Sequence, residues 1–185
     1  MGCNTALSDC PARAIPHIEG VSSKPLERGP DGFLVRTCHL RPESRGTIRL
    51  ASSDPREKVI VQNNFLSTQT DVEALRDSVK IARDIISQPA FKDVITEELN
   101  PGNDQTSDDD IDAFVRKTIT TVFHPACSCK MGTDDMAVVD TQLNVIGVDG
   151  LRVVDASVMP DQIGGNLNAP VMMIAEKAAD MILTA

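Results

Sequence analysis

The sequence contains no tryptophan, no tyrosine and only 5 phenylalanines among its 185 residues. An aromatic cage for nucleic-acid bases or a methylated ammonium group would therefore need rings from another chain or segment. No stretch approaches the roughly 18 apolar residues of a membrane-spanning helix. Residues 1–15 lack the basic start and the apolar run of a secretory signal. We therefore expect a protein that is cytoplasmic or bound peripherally at the inner membrane.

Glycine-rich phosphate-binding motifs and an excess of positive charge are also missing. The 11 glycines form neither a Gly-x-Gly-x-x-Gly turn nor a Walker-type loop. Lys and Arg number 18 against 27 Asp and Glu, which leaves a net charge of -9. An acidic chain of this kind disfavours nucleic acid and anionic membranes as main partners, and it favours a neutral or cationic small molecule.

A disulfide framework is not expected, because an odd number of cysteines without a secretion signal predicts reduced thiols in the cytosol. The five cysteines are Cys3, Cys10, Cys38, Cys127 and Cys129. A rival hypothesis makes His124, Cys127 and Cys129 three soft ligands of a small metal-binding module, with Cys38 and His39 as further candidates. Their spacing matches no common zinc ribbon, so we predict no metal ligands.

What is present is the composition of a folded domain. Hydrophobic residues make up 41% and charged residues 24%, as in ordinary globular proteins. A chain of this length buries roughly two-thirds of its unfolded surface. Residues 1–32 contain four prolines and show no hydrophobic period, so we predict an irregular arm there. Residues 33–185 are predicted to form the folded domain.

Short strands are predicted in two parts of this domain. Residues 33–40, 45–50 and 59–61 are predicted strands, and an antiparallel meander is their simplest arrangement. Residues 138–139 and 151–154 are also predicted strands, the second of them central. The predicted fold class is α+β, with an antiparallel sheet and helices packed on one side of it.

Three helices are predicted from apolar residues spaced three and four positions apart. The first begins at Thr70 or Asp71, the second follows an N-terminal cap at Ser107, and the third opens at Asn168 with Pro170 in its first turn. The predicted buried stripes are Val72, Leu75, Val79, Ala82 and Ile86; Ile111, Phe114, Val115, Thr118 and Val122; and Val171, Ile174, Ala175, Ala178 and Ile182.

Three segments are candidates for carrying chemistry. In the first, His124-Pro125-Ala126-Cys127-Ser128-Cys129-Lys130-Met131-Gly132, a proline fixes the histidine on a rigid elbow. In the second, a β-branched strand runs into Asp155-Ala156, where small residues let a ligand approach the backbone. In the third, Gly164-Gly165-Asn166-Leu167-Asn168-Ala169-Pro170, two glycines and two asparagines lead into exposed helix N–H groups, which favour binding of an anion. The structural alternatives are a loop histidine with a structural hydrogen bond, an Asp that only caps a turn, and an Asn that only caps a helix.

Taken together, residues 33–185 resemble the C-terminal part of the glucose-methanol-choline (GMC) flavin oxidoreductases. The resemblance rests on the His124–Gly132 run, on Leu-Arg-Val-Val-Asp-Ala-Ser-Val-Met-Pro at 151–160, and on Gly-Asn-Leu-Asn-Ala at 165–169 leading into Met-Ile-Ala-Glu-Lys-Ala-Ala-Asp-Met-Ile. Leu-Arg-Pro-Glu-Ser-Arg-Gly at 40–46 and Ser-Gln-Pro-Ala-Phe at 87–91 are similar as well. The branch of choline dehydrogenases and related alcohol dehydrogenases is the nearest match. The sequence departs from the family pattern at two positions, and at each of them one small residue replaces another. Cys127 stands where the family usually has Gly or Ser, and Ser128 stands where it usually has Thr.

The resemblance implies oxidation of a primary alcohol, choline or similar, to an aldehyde by hydride transfer to N5 of FAD. It implies that His124 is the base, that Asn168 binds the substrate oxygen and that Val122 lines the substrate site. Asp155 and Ala156 would contact the ribityl or pyrophosphate part of FAD. Asn168, Ala169 and Pro170 would place the positive end of the last helix at the flavin, so that residues 150–185 return to the FAD site.

The family binds FAD through an N-terminal Rossmann-type domain with a Gly-x-Gly-x-x-Gly turn, which this sequence lacks. The expectation is therefore a chain that corresponds to the substrate domain and needs a missing N-terminal FAD-binding region as its partner. The resemblance leaves the electron acceptor unknown. A noncatalytic remnant of the family, folded but binding nothing, is the alternative for the isolated chain.

Overall fold

The structure is a computed structural model, and it describes residues 32–184. The predicted irregular arm therefore lies outside the described residues, apart from Gly32. Residues Val35–Ala185 form one compact unit, whereas Phe33 and Leu34 belong to the unit that precedes it. The described part contains two short strands, three α-helices and two single turns of 3-10 helix.

The sheet consists of two antiparallel strands, β1 (Thr47–Arg49) and β2 (Ile60–Gln62), with Ile48 opposite Val61. The residue before β1 is Gly46, and a larger residue would not fit there because its Cβ would collide with the carbonyl oxygen of Gln62. All six strand residues are exposed, so helices do not bury one side of the sheet as predicted. The predicted strand at 33–40 is wrong as well, since those residues are not in a strand and a strand requires a hydrogen-bonded neighbour.

The first two helices are present as predicted, although α1 starts one or two residues before the predicted Thr70 or Asp71. Helix α1 (Gln69–Ile86) begins after Thr68, whose side chain accepts a hydrogen bond from the amide of Asp71. Helix α2 (Asp108–Thr118) begins with a capping box between Ser107 and Asp110, which confirms the predicted cap. The helices end before Pro89 and at Thr118, so Val122 lies beyond α2 and not on its buried stripe.

Helices α1 and α2 enclose the first of two hydrophobic clusters. The buried residues of this first cluster are Leu66, Val72, Ile111 and Val115, with Leu75, Val79, Phe114 and Ile119 packed around them. The guanidinium of Arg76 makes paired hydrogen bonds to Asp112 at 2.7 and 2.6 Å across the helix pair. The α1 stripe thus faces α2 through Val72, Leu75 and Val79.

The second hydrophobic cluster packs the loops of the C-terminal half against α3 (Asn168–Leu183). Its buried residues are Val139, Leu143, Val158 and Ala178, with Met131, Val145, Val153, Val154 and Ile174 around them. The predicted strands at 138–139 and 151–154 are present only as isolated bridges, Val139 with Met131 and Val145, and Arg152 with Asn144.

The buried stripe predicted for α3 is correct only in part. Ala178 is fully buried and Ile174 packs against it, but Ala175 and Ile182 are exposed. The helix therefore contacts the rest of the chain over a narrower strip than its sequence pattern indicated. Within residues 32–184, no helix is long and apolar enough to cross a membrane.

Candidate active site

His124 lies in an irregular loop that follows α2, and its side chain is half-buried. The residue before it, Phe123, has φ of 62°, in the left-handed region that non-glycine residues rarely occupy. The hydroxyl of Thr121 accepts a hydrogen bond from the Phe123 amide at 2.9 Å and so supports this turn. Val122, the predicted substrate-lining residue, is 52% exposed in the same loop.

Cys127 has a backbone conformation that suits glycine, with φ of 70°. This is the position at which the sequence departs from the glycine or serine of the GMC pattern. Burial raises the pKa of the Cys127 thiol, nearby Asp161 adds to the effect, and Arg45 opposes it. A raised pKa favours the protonated thiol, which is a weaker nucleophile than the thiolate.

Three backbone hydrogen bonds tie the histidine loop to the Asp155-Ala156 turn. The amide of Cys127 donates to the carbonyl of Ala156 at 3.3 Å. The amides of Cys129 and Met131 donate to the next two carbonyls, those of Ser157 and Val158, both at 2.9 Å. We call these bonds the amide ladder. It joins the first and second candidate segments directly.

Asp155 caps the 3-10 turn Ala156–Val158 with its side chain. One carboxylate oxygen, Oδ1, accepts hydrogen bonds from the amide of Ser157 at 2.7 Å and from the Ser157 hydroxyl. Asp155 therefore caps this turn, as the structural alternative in the sequence analysis predicted. Asp155 is exposed, and Ala156 is half-buried. Whether they contact a flavin stays a prediction.

The third candidate segment places an uncapped helix end at the surface. The N-terminal residue before α3 is Leu167, which is buried, and no side-chain hydrogen bond caps the helix. Asn168 and Ala169 are the first two helical residues and are exposed, and Pro170 follows in the same turn. The interpretation of Asn168 as the helix cap is therefore wrong. The first-turn N–H groups stay available to an anionic partner.

The second hydrophobic cluster brings the three candidate segments into one unit. Met131 ends the amide ladder, Val158 belongs to the capped turn, and Ala178 lies on α3, and all three belong to this cluster. The structure thus brings the first and second segments together by hydrogen bonds and joins the third through its helix. The convergence of His124 and Asn168 on one cleft stays a prediction.

A pair of arginine contacts that the sequence analysis missed holds the segment before α3. Arg45 donates to Asp161 Oδ1 at 2.8 Å, and the guanidinium of Arg41 lies against Gly164. The sequence signal was the 40–46 run of the family resemblance, to which no role was given. Its partners could not be predicted because they lie more than a hundred residues away in the chain.

Two other features of the described residues lie apart from these segments. A shallow cleft of about 360 Å³ lies beside the C-terminal end of α1. It is lined by Arg83, Ile86, Ser87, Ile95, Thr96, Glu97, Glu98, Asn103 and Thr106, and so by none of the candidate site residues. In residues 32–184, no three His, Cys, Asp or Glu side chains are grouped to hold a metal ion.

Residues 42–175 match the sequence profile of the family described as GMC oxidoreductase, in its C-terminal domain. The matched range covers most of the chain and contains all three candidate segments. The chain therefore belongs to the GMC oxidoreductase family.

Its similar relatives include choline dehydrogenases. The chain is 51% identical over 151 residues to the oxygen-dependent choline dehydrogenase of Ectopseudomonas mendocina, a match that covers 82% of this chain and 27% of the relative. It is 46% identical over 174 residues to the mitochondrial choline dehydrogenase of Mus musculus, covering 93% of this chain and 28% of the relative. The chain thus spans little more than a quarter of the length of these curated relatives.

Solved structures of oxidases share the fold. Pyridoxine 4-oxidase from Mesorbium loti superposes with a TM-score of 0.74 at 33% identity, over 79% of this chain and 28% of that chain. A fungal aryl-alcohol oxidase gives a TM-score of 0.71 at 34% identity, over 78% of this chain and 24% of that chain. The helices and the small sheet described above therefore match the C-terminal part of GMC enzymes.

Proposed function

We propose that this chain forms the substrate side, and one wall of the flavin side, of an FAD-dependent enzyme that oxidises a primary alcohol to an aldehyde. The observation that carries the proposal is the amide ladder, because it fixes the histidine loop to the turn predicted to face the flavin. The bound FAD supplies the hydride acceptor at N5. The chain's own residues supply the proton acceptor, a substrate hydrogen bond and an anion-stabilising helix end.

The uncapped start of α3 fits the pyrimidine edge of a flavin. That edge gains negative charge when the flavin is reduced, and a helix N-terminus stabilises an anion through its free N–H groups and its dipole. The exposed Asn168 and Ala169 and the absence of a capping side chain at Leu167 leave this position open. Asp155 and Ala156 would contact the ribityl or pyrophosphate part of the cofactor through the capped turn.

His124 accepts the alcohol proton in this proposal. Histidine side chains exchange protons near neutral pH, and a neutral imidazole within hydrogen-bonding distance removes the proton as the carbon–hydrogen bond is broken. The left-handed Phe123 and the following Pro125 restrict the loop on both sides of the histidine. The backbone that carries His124 is therefore restricted before substrate arrives.

Asn168 is proposed to donate an amide N–H to the substrate oxygen. That oxygen gains negative charge when its proton leaves, so a hydrogen bond there is stronger in the transition state than in the ground state. Val122, exposed in the histidine loop, is proposed to line the apolar part of the substrate site.

We propose choline as the substrate. Two observations support it: the chain is about half identical in sequence to choline dehydrogenases, and its net charge is -9. An acidic protein attracts a quaternary ammonium cation such as choline. The net charge neither attracts nor repels the neutral alcohols that are the alternative substrates. The solved relatives include an oxidase of pyridoxine and one of aryl alcohols, so other primary alcohols are the competing substrates. A cytoplasmic or inner-membrane location stays a prediction.

The remaining flavin contacts are proposed to come from a partner region outside these 185 residues, the N-terminal FAD-binding region of the family. The support is that the chain spans 27% of its curated relative and contains no Gly-x-Gly-x-x-Gly turn. The competing proposal is a folded remnant that binds no cofactor.

A complementation experiment tests the proposal. The 185-residue chain is mixed with a separately expressed FAD-binding region from a choline dehydrogenase relative, and choline-dependent bleaching of the flavin band is recorded. We expect bleaching with the wild-type chain and at least a hundredfold slower bleaching with His124→Ala, because a positioned general base contributes about 10²–10⁴ in rate. Flavin retention without bleaching by choline or by simple primary alcohols would overturn the alcohol-oxidising function. Absence of any flavin retention would favour the remnant.

A further inference from the structure

The segment that leads into α3 is held by two arginines from a distant part of the chain. Arg45 Nη2 donates to Asp161 Oδ1 at 2.8 Å. The guanidinium of Arg41 lies so close to Gly164 that a Cβ there would be 3.2 Å from Nε and Nη2. Gly164 precedes Asn168 by only four residues. Both contacts therefore act on the backbone that presents the proposed substrate-binding amide.

The arginines themselves project from a loop that is hydrogen-bonded to the first turn of α1. The carboxylate of Asp71, in the first turn of α1, accepts hydrogen bonds from the amides of Glu43 and Ser44, both at 2.8 Å. Asp71 is only 3% exposed, so this anchor is shielded from solvent. Within the loop, Arg45 Nη1 donates to the carbonyl of Pro42 at 2.6 Å. This hydrogen bond restricts the guanidinium that also binds Asp161.

We propose that Arg41 and Arg45 are positioning residues for Asn168. Gly164 and Gly165 give the segment before α3 an unusually free backbone, so the placement of Asn168 needs restraints from outside the segment. A hydrogen bond to a developing charge depends on placement to a fraction of an ångström. Arg45 holds the segment through Asp161, and Arg41 covers Gly164 three residues later. The inference rests on the proposed function of Asn168.

The two adjacent glycines provide a matched pair for testing the Arg41 contact. A Cβ on Gly164 would lie 3.2 Å from the Arg41 guanidinium and require it to shift by a few tenths of an ångström, whereas a Cβ on Gly165 meets nothing within 4 Å. In the 185-residue chain we expect Gly164→Ala to accelerate hydrogen–deuterium exchange in residues 161–170 and Gly165→Ala to slow it slightly or leave it unchanged. Equal effects of the two substitutions would overturn the role of Arg41.

The Arg45–Asp161 contact is tested by a double-mutant cycle in the same exchange experiment. Both side chains are mostly exposed, at 60% and 71%, and an exposed ion pair changes a local equilibrium by up to about fivefold. We expect Arg45→Gln and Asp161→Asn each to accelerate exchange in residues 161–170 by about twofold to fivefold, and the double variant to add nothing further. Asp161→Glu should retain most of the protection. Additive effects, or no effect, would overturn the role of Arg45.

A kinetic cycle in the FAD-bound enzyme that contains this chain separates positioning from simple stabilisation. We expect Arg45→Gln to lower kcat about threefold with an unchanged melting temperature, and to have no effect in the Asn168→Ala background. An equal loss of kcat in both backgrounds would show that Arg45 does not act through Asn168. If Asn168→Ala itself leaves kcat unchanged, the proposed role of Asn168 fails. The exchange experiments then decide separately whether the arginines restrain the segment.

Discussion

At the scale of single residues, the left-handed backbone at Cys127 is the clearest local feature of the candidate site. Its φ of 70° costs a residue with a Cβ about 1–2 kcal/mol. Cys129, two residues on, has a similar half-buried position and also donates its amide to the 156–158 turn, but it is not in the left-handed region. The two cysteines therefore form a matched pair.

We predict opposite orders of stability for glycine and alanine at these two positions. Cys127→Gly should be about 1 kcal/mol more stable than Cys127→Ala, because glycine adopts the left-handed conformation without a steric penalty. Cys129→Gly should be less stable than Cys129→Ala by about 0.5–1 kcal/mol, because glycine loses more chain entropy on folding. Urea denaturation of the four variants measures both differences, and the same order at both positions would contradict the prediction.

The buried carboxylate of Asp71 predicts a pH dependence of stability. Burial alone would raise the pKa of Asp71, but hydrogen bonds from the Ser44 side chain and from the Glu43 and Ser44 amides, together with nearby His39, hold the pKa below its ordinary value. His39 Nε2 lies 3.3 Å from Asp71 Oδ1, but the two atoms do not form a hydrogen bond. When the imidazole is protonated, its positive charge attracts the carboxylate at this distance.

A carboxylate whose pKa is lower in the folded state stabilises the fold above the unfolded pKa, about 3.9 for Asp. This contribution is lost as the pH falls through the folded pKa. We therefore expect the unfolding free energy to decrease below about pH 4 and Asp71→Asn to reduce that decrease. Asp109→Asn, at an exposed position in the first turn of α2, is the control. Thermal melts between pH 7 and pH 3 make the comparison, and identical acid profiles for both variants would contradict it.

At the scale of secondary-structure elements, the packing of α1 on α2 provides most of the first hydrophobic cluster. Ile111 is 1% exposed at the start of α2, whereas Ile85 near the end of α1 is 53% exposed. Ile111→Ala should destabilise the chain by about 2–5 kcal/mol, because it leaves a cavity in the cluster. Ile85→Ala should change stability by less than about 0.5 kcal/mol. Guanidinium denaturation measures both changes, and comparable losses would show that the helices pack differently.

At the scale of the whole molecule, many large apolar side chains are exposed in the described residues. They include Ile48 in β1, Ile60 and Val61 in β2, and Met172 and Met173 on α3. Met173 is 63% exposed, near the proposed flavin-facing end of the helix. Groups of exposed apolar side chains are typical of protein interfaces. This exposure agrees with the proposal that a further region completes the flavin site.

We predict that the 185-residue chain by itself retains little FAD. The start of α3 and the Asp155-Ala156 turn provide only one wall of the proposed site, while ordering a flexible cofactor costs several kcal/mol. After incubation with FAD and desalting, the absorbance spectrum should show far less than one flavin per chain. Stoichiometric flavin that choline or another alcohol bleaches would show that this chain is a complete enzyme, and the proposed partner region would be unnecessary.

The sequence by itself predicted the features that depend on neighbouring residues. The start of α2 follows from Ser107, because a capping side chain and the amide it accepts from lie within one turn. The start of α1 is predicted only approximately, at Thr70 or Asp71, whereas the helix begins at Gln69 after the Thr68 cap. Membership of the GMC family followed from the three candidate segments, which retain their order and residue types.

Only the tertiary structure decided which of these local patterns meet partners. The apolar residues at 33–40 suit a strand but are not in one, because pairing depends on a neighbour that the local sequence does not specify. Ala175 and Ile182 continue the periodic stripe of α3, yet they are exposed because the second hydrophobic cluster reaches only Ile174 and Ala178. Arg45 and Asp161 are 116 positions apart in sequence, and only the fold brings them within 2.8 Å. Contacts between distant residues depend on the path of the whole chain, which local spacing does not encode.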